Sequence, residues 1–405
     1  MPPRDGGTRD AEMEDAGLFD ATTPDRTPMD AGPPSCRFDP GTDLIDLGKD
    51  PPGVGRRVAM APAPDGVVAV WARTLGGASN IVSGRIPSRG AVSAPEPVTE
   101  DSHISRNPAV VRVGEGYLAA WVDNSQGPSG DKRFEIRARP LDSAGVPTAD
   151  PVTVTDNAVR EDELALVGFG EGALLAWVEY DGAAAERTLR VLRLDPQGDA
   201  LAAATPLQTG TALERPVVAA AGELAVVAWV EGNRVALQPL DDMAAPSGSV
   251  QHADGQMNAN GAVGAALEHD GTDPAGGAVV FGVRVSTRPE VRWRGLDATG
   301  SVDDGEKPLT SATVSAAGPS VAAFRGGFVT AYRVLSDPER SVPAIRVAFA
   351  DDGGDVVQTI DMADTSDTGS GTTLAVGLDG HLAVGWSELT AGVRTLRVAR
   401  MRCGS

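Results

Sequence analysis

The segment Gly116-Tyr117-Leu118-Ala119-Ala120-Trp121-Val122-Asp123 recurs along the chain, and that recurrence constrains the possible folds more than any other feature. Close versions end at Trp71, Trp177 and Trp229, and weaker ones at Phe281, Tyr332 and Trp386. Successive aromatics lie 50 to 56 residues apart, so one unit occurs seven times. A period of this size marks an architecture in which each repeat is one supersecondary unit that buries its apolar face against its neighbours. Ordinary length arithmetic would divide 405 residues into two or three domains. The sevenfold period argues instead for one closed body.

Each unit has the same internal order, and the second shows it best. Pro108 to Val113 is a short apolar strand, Gly114-Glu115-Gly116 is a turn, and Tyr117 to Val122 is a strand apolar on both faces. A strand of that kind is covered on both sides. Phe134 to Arg139 alternates apolar and charged residues, as a half-exposed strand does. Asp142 to Gly145 turns the chain, and Pro151 to Val154 forms an outer strand. Four antiparallel strands per unit, seven times over, predict an all-β, seven-bladed β-propeller. Aromatics are only 4% of the chain, so Ala and Val must fill most of its interior.

Two positions recur within the units. The aromatic ending the second strand returns in every unit, which assigns it to packing between blades and not to seven ligand sites. An arginine in the third strand returns as Arg137, Arg190, Arg292, Arg346 and Arg397. Its recurrence also reads as structural, with the stem laid along the neighbouring blade.

The seventh unit lacks an outer strand, because only Met401 to Ser405 follow its third strand. Asp43 to Gly48, ahead of blade 1, has the right length and character to supply it. The ring is then closed by the N-terminal strand beside the C-terminal one, leaving no inner edge unpaired. Cys36 precedes that closing strand and Cys403 follows its partner, so a Cys36–Cys403 disulfide would stand in for the missing hairpin turn. The chain-entropy model gives so long a cross-link on the order of 4–5 kcal/mol. Two unrelated small core thiols are the plainer alternative. A structural disulfide implies an oxidising compartment.

Residues 1–35 carry Asp-Ala-Gly repeats and a net charge of −5, with almost no β-branched apolar residues. Such a stretch cannot offset its ordering entropy by burial and is expected to be a disordered acidic tether, leaving residues 36–405 as the propeller. It resembles the acidic linkers that follow the lipidated cysteine of bacterial surface lipoproteins. No signal peptide is evident behind Met1, so the lipoprotein reading requires an upstream signal. Pro108-Ala109-Val110, Gly116 to Trp121, Ile136 to Arg139 and Asp142 to Pro147 resemble the repeats of large secreted bacterial β-propeller proteins, lipoproteins and adhesin-like chains. That resemblance implies a fold and no common reaction. With the disulfide, it places the expected location in the periplasm or at the cell surface. The sialidase Asp-box, the WD dipeptide and an Asp-x-Asn-x-Asp-Gly calcium loop are absent from the sequence.

The formal net charge of −21 makes nucleic acid an unsuitable partner, since phosphate neutralisation by Lys and Arg dominates that affinity. No apolar run has the length of a membrane span. The expected partner is a glycan or protein ligand, bound by a monomer at the mouth built from the entry loops and the loops between second and third strands. Those second-to-third loops are longest at Asp123 to Arg133, Glu179 to Glu186 and Leu335 to Ala344. The entry loops bring Arg56, Arg57, His103, Arg106, Arg160, Glu161, Glu214 and Arg215 on one side, and Asn258, Asn260, Ala317, Gly318 and Gly369 to Gly371 on the other. Arg57, Arg106, Arg160 and Arg215, with Asp123 and Glu179, are therefore the expected ligand-binding residues for a carboxylate or sulfate. The plainer reading pairs those arginines with neighbouring acids.

The main expectation is a non-catalytic binding or scaffolding module. The alternative is a polysaccharide-active lyase or glycoside hydrolase using His103, Arg106 and Tyr180. No metal or cofactor site is expected. Asp270 to Asp273 and Asp351 to Asp355 offer oxygens that would suit a weakly held Ca²⁺, yet both read as hairpin turns.

Overall fold

The computed structural model describes residues 35–49, 58–75, 78–100, 103–124, 134–157, 159–182, 185–253, 259–270, 273–303, 305–340, 342–364, 372–390 and 393–404. The tether expected over residues 1–35 therefore lies almost wholly outside them. The fold is the expected one: seven antiparallel blades, all β, the first six ordered from an inner to an outer strand along the chain and the seventh completed by the N-terminal segment.

Blade 2 consists of Ser105–Val113, Gly116–Asp123, Glu135–Leu141 and Val152–Thr153. Blade 3 consists of Arg160–Phe169, Gly172–Asp181, Glu186–Leu194 and Thr205–Gly210. Blade 4 begins with Leu213–Ala221 and Leu224–Glu231. Among the described residues the core is seven apolar clusters, one at each seam between neighbouring blades, and the second-strand aromatic of the later blade sits in each. Trp121 packs with Val68 and Val70 of blade 1, and Trp177 with Leu118, Ala120 and Val122 of blade 2. Trp71 completes the circle against Ala383, Leu396 and Val398 of blade 7. The recurring aromatic therefore holds blade to blade, as its repetition predicts.

The recurring arginine stands directly across the ladder from that aromatic: Trp177 faces Arg190, Tyr332 faces Arg346 and Trp386 faces Arg397. The guanidinium groups of Arg190, Arg346 and Arg397 are held by carboxylates. Arg190 Nε donates to Glu179 at 2.5 Å, and Arg397 contacts Glu388 at 3.2 Å and Asp46 at 3.1 Å. Arg346 is gripped by Asp337 and Asp361. A charge so close to the core is tolerable only when paired.

The hairpins between third and fourth strands share one device. Asp142, Asp195, Asp241 and Asp297 each turn Oδ1 back to accept the backbone N–H groups two and four residues on. Asp351 Oδ1 likewise accepts the N–H of Asp355 at 2.7 Å, so this carboxylate serves its own turn. Gly354 completes that turn at φ 80°, where a Cβ would collide with the Trp293 ring of blade 5.

Closure follows the expected pairing. Leu44–Lys49 runs antiparallel to Val393–Cys403, with Leu44 opposite Ala399 and Asp46 opposite Arg397. A second piece, Cys36–Arg37, continues the same edge, so the cysteines lie within the ladder and not beyond it: Cys36 faces Cys403 and is disulfide-bonded to it. Buried Arg400 ties this seam to blade 1, donating to the carbonyls of Pro87, Gly90 and Thr42 at 2.8–2.9 Å.

Candidate functional site

The first strand of several blades breaks register where it enters the ring. The shift falls between Arg106 and Ala109 in blade 2, Glu161 and Leu164 in blade 3, Glu214 and Val217 in blade 4, and Ala317 and Ser320 in blade 6. Such a bulge re-aims side chains at the rim of a closed sheet. The extra residue is left-handed at Asn107 (φ 49°), Arg215 (φ 55°) and Gly318 (φ 65°). Glycine and asparagine adopt that conformation readily. Arginine does not, so Arg215 is held in a strained backbone at the mouth.

Arg215 lines a cavity of about 250 Å³ between blades 3 and 4. Its polar walls are Arg160, Glu163, Tyr180, Arg187, Glu214 and Arg215, and Val178 and Leu213 form its apolar part. Register explains the gathering: Arg160 stands opposite Tyr180 in one ladder and Tyr180 opposite Arg187 in the next. Arg187 bridges to blade 4, donating to Glu214 Oε1 at 3.0 Å and to the Leu213 carbonyl at 2.9 Å. Its guanidinium carbon lies 5.8 Å from the Tyr180 ring centroid. Glu163 accepts the backbone N–H of Arg215 and fixes the strained bulge from the blade 3 side. Arg106 and Arg160 share the ring of Phe134, at 4.0 and 5.8 Å from its centroid, which links this cavity to blade 2.

Blades 2 and 3 each set two acids face to face, three of the four buried and Glu179 partly so. Asp123 faces Glu135 across blade 2, and Glu161 faces Glu179 across blade 3. Asp123 Oδ2 accepts from Ser105 at 2.7 Å and from the indole N–H of Trp121 at 3.2 Å. Glu135 accepts the Thr155 hydroxyl at 2.8 Å. Glu161 is fully buried; its Oε1 accepts from Asn157 at 2.8 Å, and its Oε2 has no hydrogen-bond donor among the described residues. Burial first, then the negative charge of Glu179, pushes the Glu161 carboxyl up to about 8, so it carries its proton at neutral pH.

Of the residues expected to bind a ligand, Arg160 and Arg215 therefore meet in one cavity together with Tyr180. Arg106 contacts the Phe134 ring and is not among the residues lining that cavity. Two of the expected residues are corrected. Asp123 is buried and engaged by Ser105 and Trp121, and Glu179 is taken by Arg190, so neither is offered to a ligand. Arg56, Arg57, Asn258 and Gly369 to Gly371 lie outside the described residues, as does most of the loop from Asp123 to Arg133. His103 and Arg106 are not among the residues lining the cavity that holds Tyr180. Arg187, Glu163 and the protonated Glu161 were not singled out from sequence as a group. The alternation Arg187-Thr188-Leu189-Arg190 held the signal for Arg187, once registered against Tyr180.

No family model matches the chain, and no curated protein matches it in sequence. Solved structures do share its fold. An α-L-arabinofuranosidase of Fusarium graminearum, bound to an iminosugar inhibitor, matches with a TM-score of 0.50 at 11% identity, over 88% of this chain and 97% of its own. An α-L-arabinanase of Penicillium chrysogenum complexed with arabinobiose matches at 0.50 and 13% identity, over 73% of this chain and 92% of its own. A prolyl endopeptidase matches at 0.50 and 15% identity; 88% of this chain is covered, but only 47% of the endopeptidase. At these identities the likeness is one of fold.

The expectation of a non-catalytic binding module is corrected to this extent: the matched structures show this kind of fold carrying catalysis in other proteins. All three neighbours are enzymes, and two glycosidases share this propeller body along nearly their whole length. The mouth also gathers carboxylates, guanidinium groups and a phenol in one cavity instead of presenting a plain contact surface.

Proposed function

We propose that this chain is an exported glycoside hydrolase working in the cavity between blades 3 and 4. The observation that carries the reading is the placing of Glu163 and Glu214 in one cavity with Tyr180. Glycoside hydrolysis needs two carboxyl groups flanking the scissile bond, one to protonate the leaving oxygen and one to activate water or attack the sugar. Glu214 comes from blade 4 and Glu163 from blade 3, so the cavity draws its two carboxyl groups from neighbouring blades. Each is held by a group from the other blade: the Arg187 guanidinium orients Glu214, and the backbone N–H of Arg215 orients Glu163. Positioned acids and bases of this kind act by proton transfer in the transition state. The arabinofuranosidase and the arabinanase support a glycosidase over a scaffold. A peptidase has less support, because no Ser, Thr, Cys or His stands among the residues lining the cavity.

The Cys36–Cys403 disulfide supports export to an oxidising compartment, and the acidic tether and secreted-repeat resemblance support a periplasmic or surface location. The test is release of reducing ends from a panel of polysaccharides by the intact chain, by Glu163→Gln and by Glu214→Gln. Activity in the native chain falling at least about a hundredfold in each variant supports the proposal. Full activity in both variants refutes it.

A further inference from the structure

We infer that the cavity between blades 3 and 4 takes a carboxylate-bearing sugar, a uronate-type unit, and that Arg215 is the residue that selects it. The inference rests on the glycosidase reading for its sugar and on the charges of the cavity for its anion. Three guanidinium groups (Arg160, Arg187 and Arg215) and two carboxylates (Glu163 and Glu214) line the space, leaving one positive charge in excess on a chain whose formal net charge is −21. A cation concentrated in one concavity of an acidic body focuses the local field on an anionic ligand.

Of the three guanidinium groups, Arg215 is the one left to the cavity. Arg187 is committed to Glu214 and to the Leu213 carbonyl. Arg160 is drawn toward Phe134. The Arg215 guanidinium has no hydrogen-bond or ion-pair partner among the described residues; Glu163 takes its backbone N–H and leaves the side chain to the cavity. Its φ of 55° occupies the position filled by Asn107 in blade 2 and Gly318 in blade 6. At this bulge blades 2 and 6 use residues that tolerate the left-handed region. Blade 4 carries an arginine there despite the cost, and strain of this kind collects at ligand clamps.

The two facing acids of blade 3, Glu161 and Glu179, do not cancel this charge. Glu179 is neutralised by Arg190, and Glu161 holds its proton at neutral pH because burial and the Glu179 charge raise its carboxyl to about 8. A planar guanidinium fork matches the two oxygens of a carboxylate bidentately, and it needs a sugar-bearing anion to use the rest of the cavity. Tyr180, with Arg187 against its ring, adds an apolar face for the sugar.

Titration calorimetry of the intact chain with glucuronate, galacturonate, their neutral parent sugars and inorganic sulfate tests this directly. Saturable binding is expected for at least one uronate, with neutral sugars and sulfate at least about tenfold weaker. Arg215→Asn keeps a residue that accepts the left-handed backbone and should weaken uronate binding about tenfold or more. Arg215→Lys, which keeps the charge and loses the fork, should fall between the two. Melting temperatures of both variants, unchanged from the native chain, show that the loss is not one of folding. Neutral sugars or sulfate binding as tightly as uronates, no uronate binding by the native chain, or unchanged uronate affinity in Arg215→Asn would each overturn the inference. Hydrolysis of neutral glycans without uronate binding would refute it and leave the glycosidase standing. Uronate binding without hydrolysis of any polysaccharide would do the reverse.

Discussion

Replacing Glu161 by glutamine should make the protein more resistant to alkali, by an amount that its surroundings set. Glu161 is fully buried, faces Glu179 across the ladder and lies near Glu135; the hydrogen bonding of Asn157 and Thr155 offsets burial and like charge only in part. Burial, then the Glu179 charge, raises the carboxyl from 4.5 to about 8. Each pH unit of such a shift corresponds to about 1.36 kcal/mol, so ionising Glu161 in the folded ring costs on the order of 4–5 kcal/mol. The unfolded chain releases this proton near 4.5, while the folded one keeps it to about 8. Below the lower value both states are protonated and the group has no effect. Stability then falls as pH rises through the interval, and the full loss is reached above about 8. Glutamine mimics the protonated acid in shape and cannot ionise. Glu161→Gln should therefore track the native chain in acid and gain on it steadily between those two values, levelling off beyond. The difference between their thermal melting curves against pH removes the general repulsion of an acidic protein, which both share. Parallel curves, or a gap that widens toward acid, would refute a buried, proton-holding Glu161.

Three further outcomes follow from packing and covalent closure. Trp177→Ala empties the seam between blades 2 and 3 and should cost about 3–5 kcal/mol in urea unfolding, whereas a loss below about 1 kcal/mol would deny the aromatic its role between blades. Cys36→Ser with Cys403→Ser should cost about 2–5 kcal/mol, and reducing the native chain should reproduce the effect; equal midpoints would show that the seam holds without its cross-link. Gly354→Ala should destabilise by more than about 1 kcal/mol, because the position is left-handed and abuts the Trp293 ring. A neutral result there would mean that the turn is free to move off blade 5.

The architecture was legible because it is written seven times. One second strand with a Trp at its end is ambiguous, but seven at one spacing leave a ring as the natural way to bury both faces. Closure was legible for a related reason: blade 7 lacked an outer strand, and Asp43 to Gly48 had no other place in the pattern. The cavity was only half legible. Charge along the entry loops marked Arg160 and Arg215, since these residues depart from the repeat. Which of them meet depends on the register shifts between Glu161 and Leu164 and between Glu214 and Val217, and a one-residue slip changes the face on which a side chain falls. Asp123 was misread for the same reason. It ends the second strand, where the pattern suggests a loop, yet Ser105 and Trp121 bury it inside the ladder. The raised carboxyl of Glu161 had no local signature at all, because it comes from the opposed Glu179 and from burial.

Mass spectrometry of polysaccharide digests run in heavy-oxygen water tests the glycosidase most directly. New reducing ends that carry one oxygen from the solvent, formed by the native chain and lost in Glu163→Gln and Glu214→Gln, are the predicted result. Unsaturated products without solvent oxygen would mark an elimination, and unaltered polysaccharide across the panel would contradict catalysis by the cavity between blades 3 and 4.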